Sequence, residues 1–197
     1  MLACASACDR VTPVLTGEAA ISEGRSGREK AEGGPGRVIV DAHHHVWDPV
    51  ANNHPWLREE PMIPFRYGDY SAIRHPYLPA DYRADAAPFV IAASVYIEAE
   101  WDPADPAGEM DYIAGLRQRE GLPSVAVAQA WLDRADCAAV LESHARRDFV
   151  RSVRHKPRAN ARPGEVAPGG MADTAWRAGF ARLAPLGLRT PAGGIRV

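Results

Sequence analysis

His43 and His45, two histidines one residue apart, are the side chains of this sequence best placed by type and spacing to do chemistry. They follow a short β-branched apolar run, 37–42, which is typical of a buried strand. Because side chains alternate along a strand, we expect His43 and His45 to point to one side and His44 to the other. Two imidazoles on one side of a strand end can bind one cation together, and Asp41 on that side can orient one of them. A local cluster of histidines without a ligand role is the alternative.

Two carboxylates form the second candidate group. Glu98 and Glu100 close a later apolar run, 89–98, and lie two residues apart. Each could be a metal ligand, a general base or a partner for a substrate hydroxyl, so we predict both as catalytic residues. An acidic turn at the surface is the alternative for each of them.

The candidates for substrate binding are cationic and aromatic. Arg154 and Lys156 end the run 149–154, and two cations at a strand end suit a substrate carboxylate or a developing oxyanion. Trp47 and Trp101 lie just past strand ends and could wall an apolar pocket around a small ring. The alternatives are a solvated basic loop for the cations and simple packing of the rim for the tryptophans.

These residues need a scaffold that brings distant strand ends together. Apolar runs predict four strands, at 37–42, 89–98, 124–130 and 149–154, with a long loop rich in proline and aromatics from Asp48 to about Pro88. Strands separated by single helices indicate right-handed βαβ units and a parallel sheet, which is an α/β fold. In a parallel barrel the carboxyl ends of the strands open into the site, where the candidate residues lie.

The helices between the strands carry their own signals. A helix is predicted over about 106–120 and is expected to end at Gly121. Asp133 and Asp173 are each expected to cap a further helix. The last helix is expected to turn three residues toward the core, namely Trp176, Phe180 and Leu183.

Composition limits the class of protein. The 197 residues carry a formal net charge of -2, which gives no general attraction to nucleic acid or to an anionic membrane. No apolar run approaches the roughly 20 residues that a membrane span needs, and three scattered cysteines form no disulfide framework. We therefore expect a cytoplasmic protein with neither nucleic-acid nor membrane partners. Residues 1–36 are predicted to be a disordered tail, and 37–197 the folded domain.

Several stretches of the sequence, taken in their order along the chain, resemble one protein family. The segment Asp41–Asp48 is similar to the first-strand signature of the amidohydrolase superfamily, and more narrowly of the branch that includes sugar-lactone and pyrone-dicarboxylate lactonases. The resemblance spans about Arg37 to Leu188. The other stretches that carry it are Tyr77–Tyr82, Val95–Pro103, Val150–Pro157 and Trp176–Phe180.

The resemblance implies a fold and an activity. It implies the N-terminal half of a (β/α)8 TIM barrel, with about four βα units, from an enzyme that adds water to the carbonyl of a small lactone or cyclic ester bearing a carboxylate. In the superfamily the histidines that match His43 and His45 usually hold a divalent metal, so zinc is the expected ion. Some members of the lactonase branch act without a metal, and there the same histidines would bind the anionic substrate directly.

The sequence also departs from the family. After Leu188 a fifth apolar strand is expected, whereas Pro191 and two glycines make a poor strand before the sequence stops. We therefore expect a truncated barrel with weak or no activity, whose open edge can lead to self-association. Two other functions stay open: a decarboxylase of the same superfamily, and a non-catalytic α/β domain that binds an anion or a partner.

Overall fold

A four-stranded parallel sheet organises the computed structural model, which describes residues 36–62, 68–156, 162, 164, 166 and 168–190. The strands neighbour each other in chain order and are β1 (Val38–His44), β2 (Val90–Ile97), β3 (Val125–Gln129) and β4 (Val150–Arg154). All three strand pairs are parallel, which confirms the predicted α/β class. The predicted tail at 1–36 lies outside the described residues, except for Gly36.

Helices follow each strand within the described part of the chain. They are α1 (Pro55–Arg58), α2 (Pro79–Ala86), α3 (Gly108–Glu120), α4 (Cys137–Ala145) and α5 (Thr174–Ala181), with single 3-10 turns at Ser71–Ile73 and Ala184–Leu186. This alternation of strands with helices is the pattern of half a (β/α)8 barrel. None of the described helices is long and apolar enough to cross a membrane.

The core lies between the sheet and the helices that cover it. Met110 and Ile113 of α3 and Leu141 of α4 are fully buried, and they pack with Tyr96 of β2 and Val153 of β4. Burying a large apolar side chain contributes about 1.5–3 kcal/mol, so these contacts hold the strand ends in fixed relative positions.

Local signals explain where the helices begin and end. Helix α3 ends at Gly121, as predicted, with φ of 73° in the left-handed region. Helix α5 begins at Asp173, whose side chain accepts a hydrogen bond of 2.8 Å from the Ala175 N–H, again as predicted. The prediction that Asp133 caps α4 was wrong, because turns continue past it and the helix begins only after Asp136.

The segment between β1 and β2 contains helices where a loop was predicted. Proline stands at the first helical position of both α1 and α2, where its fixed φ favours the helix and its missing N–H costs nothing. In α2 the Asp81 side chain also accepts a hydrogen bond of 2.8 Å from the Leu78 N–H. The prolines that suggested irregular structure therefore mark helix starts.

Helix α5 packs closely against the segment after β3. A Cβ at Gly179 would overlap the carbonyl oxygen of Leu132, so only glycine permits this approach. Trp176 is buried and Leu183 follows it into the core. The expectation that Phe180 faces inward was wrong, since its side chain is 46% exposed and stacks on Trp176 instead.

The two edges of the sheet differ. At β4, Arg189 forms a parallel bridge with Ser152, and its carbonyl oxygen accepts a hydrogen bond of 2.8 Å from the Val153 N–H. The β4 edge of the sheet is therefore paired with one further extended residue, Arg189. On β1, at the other edge, Val38 and Val40 are 68% and 67% exposed.

Candidate active site

The histidine pair, His43 and His45, converges at the end of β1. The two Nε2 atoms lie 3.2 Å apart. Tetrahedral zinc with nitrogen ligands at 2.0–2.1 Å separates those nitrogens by about 3.3 Å, so the spacing matches that of two ligands of one ion. Either one ring donates a proton to the other across this gap, or the two lone pairs meet at a cation.

His45 is held in one tautomer. Its Nδ1 lies 2.9 Å from the carbonyl oxygen of Ile97, which can only accept, so Nδ1 carries the proton and Nε2 carries the lone pair. Burial, and then the positive charge of Arg154, lower the pKa of His45 to about 4. The ring is therefore neutral at physiological pH and presents the lone pair of Nε2 to the His43 ring.

His43 is anchored through its backbone. Its N–H donates a hydrogen bond of 2.9 Å to Asp41 Oδ1, and Asp41 Oδ2 accepts one of 2.8 Å from the Tyr82 hydroxyl. His44 points to the other side, where it is buried and stacks on the Tyr82 ring at 4.4 Å. His43 and His45 therefore lie on one side of β1 and His44 on the other, as expected. The register of β1 with β2 shifts between Asp41 and His44, and Asp41 contacts Tyr82 on the His44 side, so the expectation that Asp41 shares the side of the histidine pair was wrong.

An open cleft of about 260 Å³ lies at the ends of β2, β3 and β4. Residues from all three strand ends contribute to its wall, together with α1. The lining residues are Pro55, Trp56, Glu98, Glu100, Trp101, Pro103, Gln129, Ala130, Trp131, Arg154, His155 and Lys156. The histidine pair is not in this lining, but His45 is bonded to Ile97, the residue before Glu98, so the two features share one strand end.

Glu98 and Arg154 form a buried ion pair at the base of the cleft. Arg154 Nε donates to Glu98 Oε1 at 2.5 Å, and Arg154 Nη2 donates to the Glu98 carbonyl oxygen at 3.0 Å. The other carboxylate oxygen, Oε2, accepts from the Glu100 N–H at 2.8 Å. Both oxygens of Glu98 are therefore engaged within the protein.

Glu100 and Lys156 form a second ion pair at the mouth of the cleft, where Lys156 Nζ donates to Glu100 Oε1. Both side chains are about half exposed. Glu100 has a φ of 55°, in the left-handed region that non-glycine residues seldom adopt and that is often found at functional sites. This pair can open without burying an unpaired charge.

Glu109 is a buried carboxylate next to Glu98 that the sequence analysis did not single out. It is fully buried on α3, where Oε1 accepts hydrogen bonds from the Tyr96 hydroxyl at 2.9 Å and from the Ala99 N–H at 2.7 Å. Burial and the nearby charge of Glu98 raise the pKa of Glu109 to about 8. Glu109 lies four residues before Ile113 and so on the apolar side of the helix. This position in the sequence could have identified it as a buried carboxylate.

The tryptophans divide into two groups. Trp101 lines the cleft together with Trp131 and Trp56, whose Nε1 donates a hydrogen bond of 2.9 Å to the Ala99 carbonyl oxygen. Trp47 does not line the cleft. It stacks on Tyr77, and its Nε1 donates to the carbonyl oxygens of residues 73 and 75.

The donors available for a metal are two imidazole nitrogens. Their convergence and the fixed tautomer of His45 fit an ion such as zinc. Within the described part of the chain there is no group of three or more histidine, cysteine, aspartate or glutamate side chains that could hold a metal. Within the described residues the histidine pair supplies two nitrogen donors, fewer than the three protein ligands of a catalytic zinc.

No family model matches the chain. It is 33% identical over 154 residues, or 77% of its length, to the uncharacterized protein y4mH of Sinorhizobium fredii, and it spans about half (52%) of that relative.

Two solved structures resemble the chain. One, an amidohydrolase from Burkholderia multivorans with bound zinc, matches with a TM-score of 0.50 and 20% identity, over 77% of this chain and 47% of that one. The other, amidohydrolase 2 from Bifidobacterium longum subsp. infantis, matches with a TM-score of 0.49 and 19% identity, over 78% and 50% of the two chains. The described residues thus have the fold of half a (β/α)8 barrel.

Proposed function

We propose that this chain carries part of the active site of an amidohydrolase-type hydrolase, which adds water to the carbonyl of a small lactone or cyclic ester bearing a carboxylate. The observation that carries the proposal is the histidine pair, whose Nε2 atoms converge to 3.2 Å with one lone pair fixed toward the other ring. A pair that only filled space at a strand end would need neither feature.

The histidine pair would hold one divalent metal, with zinc the expected ion. A bound zinc polarises a carbonyl and lowers the pKa of water. The zinc in the Burkholderia multivorans amidohydrolase supports this assignment. A catalytic zinc takes three protein ligands, so His43 and His45 would supply two, and the third would come from outside the described residues.

The cations of the cleft would have different roles. Lys156 has an exposed partner, so a substrate carboxylate can replace Glu100 as its counter-ion at little cost. Arg154 donates hydrogen bonds to Glu98 from both Nε and Nη2, so it would fix the conformation of the chain at the end of β2. Trp101 would cover one side of the bound ring and exclude water from it. The catalytic roles of Glu98 and Glu100 stay predictions, and Glu98 would have to exchange one of its two partners, Arg154 or the Glu100 N–H, to act on a substrate.

Metal content of the purified chain tests the proposal. We expect near-stoichiometric zinc or manganese by elemental analysis, and its loss in the His43→Ala/His45→Ala variant. His75→Ala is the matched control, because the ring Nδ1 of His75 contacts the carbonyl oxygen of Pro76 rather than the pair. Retention of metal by the double variant would refute the assignment of the ligands.

Product analysis tests the reaction. Incubation of a version extended to the length of the relative with a panel of carboxylate-bearing lactones should show ring opening that is lost in the double variant, whereas the chain by itself should show weak activity or none. Release of carbon dioxide instead would identify a decarboxylase. Anion binding that survives the double variant, without turnover in a version extended to the length of the relative, would indicate a non-catalytic domain.

A further inference from the structure

We propose that Tyr82 is a positioning residue for the histidine pair, acting through Asp41. The inference rests on the proposed function, because the property that Tyr82 would set is the capacity of the pair to bind a cation. Tyr82 lies on α2, far along the chain from the histidines, and no motif at the end of β1 points to it.

The first step is the placement of the Tyr82 ring. The residue is buried, and its ring stacks on His44 at 4.4 Å with an angle of 16° between the planes. This stack joins α2 to the side of β1 opposite the histidine pair. The ring is therefore held by packing, which leaves its hydroxyl in a fixed position.

The second step is the use of that hydroxyl. It donates a hydrogen bond of 2.8 Å to Asp41 Oδ2, while Asp41 Oδ1 accepts from the His43 N–H at 2.9 Å. The Asp41 carboxylate thus bridges the helix and the backbone of His43. Two bonds to separate oxygens leave it little freedom to rotate.

The third step is the contrast between the two histidines. The His45 ring is oriented directly by the Ile97 carbonyl oxygen. In the part of the chain that the structure describes, the His43 ring has His45 as its hydrogen-bonding partner, so its placement follows from its backbone. Beside the pairing of Asp41 and His44 with β2, the bridge from Tyr82 through Asp41 holds that backbone through the His43 N–H.

The test is the Tyr82→Phe variant, which removes the hydroxyl and keeps the ring that stacks on His44. Partners that orient metal ligands typically change metal affinity by about 10–100-fold. We expect a loss of about tenfold or more in the affinity for Co²⁺ and Zn²⁺, measured by chelator competition, with an unchanged melting temperature.

The chain offers a matched control. Tyr77 also donates its hydroxyl to an aspartate, Asp85 Oδ2, at 2.8 Å, but that bond does not reach the histidine pair. Tyr77→Phe should therefore leave metal affinity unchanged. Equal affinity in wild type and Tyr82→Phe, or equal losses in both variants, would overturn the inference.

Two further arms separate this inference from the proposed function. If the wild type binds no metal, the metallohydrolase proposal fails. The bridge is then tested by the NMR signals of the His43 amide and ring, which should change in Tyr82→Phe but not in Tyr77→Phe.

If Tyr82→Phe lowers the melting temperature, a double-mutant cycle with Asp41→Ala shows whether the loss of affinity passes through the bridge. The variant should cost no further affinity in an Asp41→Ala background, and additive losses would refute the bridge.

Discussion

The ion pairs Glu98–Arg154 and Glu100–Lys156 join the same two strand ends, yet they differ in burial. The side chains of the first pair are 2% and 19% exposed, and those of the second are 46% and 57% exposed. In the sequence the two pairs are spaced identically, each 56 residues apart. The spacing in the sequence does not reveal which pair is buried. The buried pair, Glu98–Arg154, holds the site together, whereas the exposed pair, Glu100–Lys156, can exchange a partner.

This difference in burial gives the two ion pairs different roles. A buried charge must stay paired, because an unpaired charge in a low-dielectric interior is strongly unfavourable. An exposed pair contributes little to stability, so a ligand can displace one member cheaply. A binding role is therefore better sought at Lys156 than at Arg154, although both were predicted as substrate-binding residues and both predictions remain to be tested.

Removing one member of the buried pair should have the largest effect. Arg154→Met leaves the Glu98 carboxylate buried without its counter-ion, and we expect a loss of about 3–5 kcal/mol in the free energy of unfolding by urea titration. Lys156→Met is the matched control and should cost less than about 1 kcal/mol. Similar losses in the two variants would erase the distinction between the pairs.

The second prediction concerns the proton on Glu109, next to the buried pair. Its pKa of about 8 means that the folded state keeps a proton which the unfolded state releases in the ordinary carboxyl range. Between those two pKa values the wild type should therefore lose stability as pH rises, by up to about 1.4 kcal/mol per pH unit, relative to Glu109→Gln. Urea titrations of both proteins from pH 5 to pH 8 check this. Parallel stability curves would contradict the assignment.

The third prediction concerns ligand binding at the exposed pair. Lys156→Met should weaken binding of a small dicarboxylate by about tenfold, which corresponds to about 1.4 kcal/mol, since one charged contact is lost. Isothermal titration calorimetry measures the affinity, and Arg146→Met, a change at the exposed C-cap of α4, provides the control. Unchanged affinity in Lys156→Met would show that the anion binds elsewhere.

The smallest effect is expected from the backbone of Glu100. With φ at 55°, a side chain of any size is mildly unfavourable there, so Glu100→Gly should be more stable than Glu100→Ala by about 1 kcal/mol. Both variants lose the ion pair with Lys156, so their difference isolates the backbone. Thermal unfolding of the two proteins side by side gives this number, and the reverse order would show that the left-handed conformation is not retained.

Local patterns predicted much of the fold. The four strands and the side-chain alternation at His43, His44 and His45 follow from periodicity over a few residues, and the caps at Gly121 and Asp173 follow from single residues. The helices α1 and α2 were missed because proline favours both loops and the first turn of a helix. Neighbouring residues alone do not distinguish these two uses.

The candidate site was only partly predictable for a different reason. The sequence points to Glu98 and Arg154 separately. That they pair with each other depends on the sheet, in which β3 lies between β2 and β4 and brings their ends together. Tyr82 and Glu109 contribute through contacts that tertiary packing creates, with Tyr82 lying 41 positions from the aspartate that it binds. Residue type and spacing identify which groups could react, whereas packing decides which of them remain available.

The placement of the tryptophans has a spectroscopic consequence. Of the five tryptophans in the sequence, three line the cleft and a fourth, Trp47, lies edge-on to one of these, Trp56, at 6.3 Å between ring centroids. Four of the five indoles therefore lie in the cleft or next to it. Occupancy by a quenching ion such as Co²⁺, or by an anion that displaces water from these indoles, can be followed as a change in emission without any attached label.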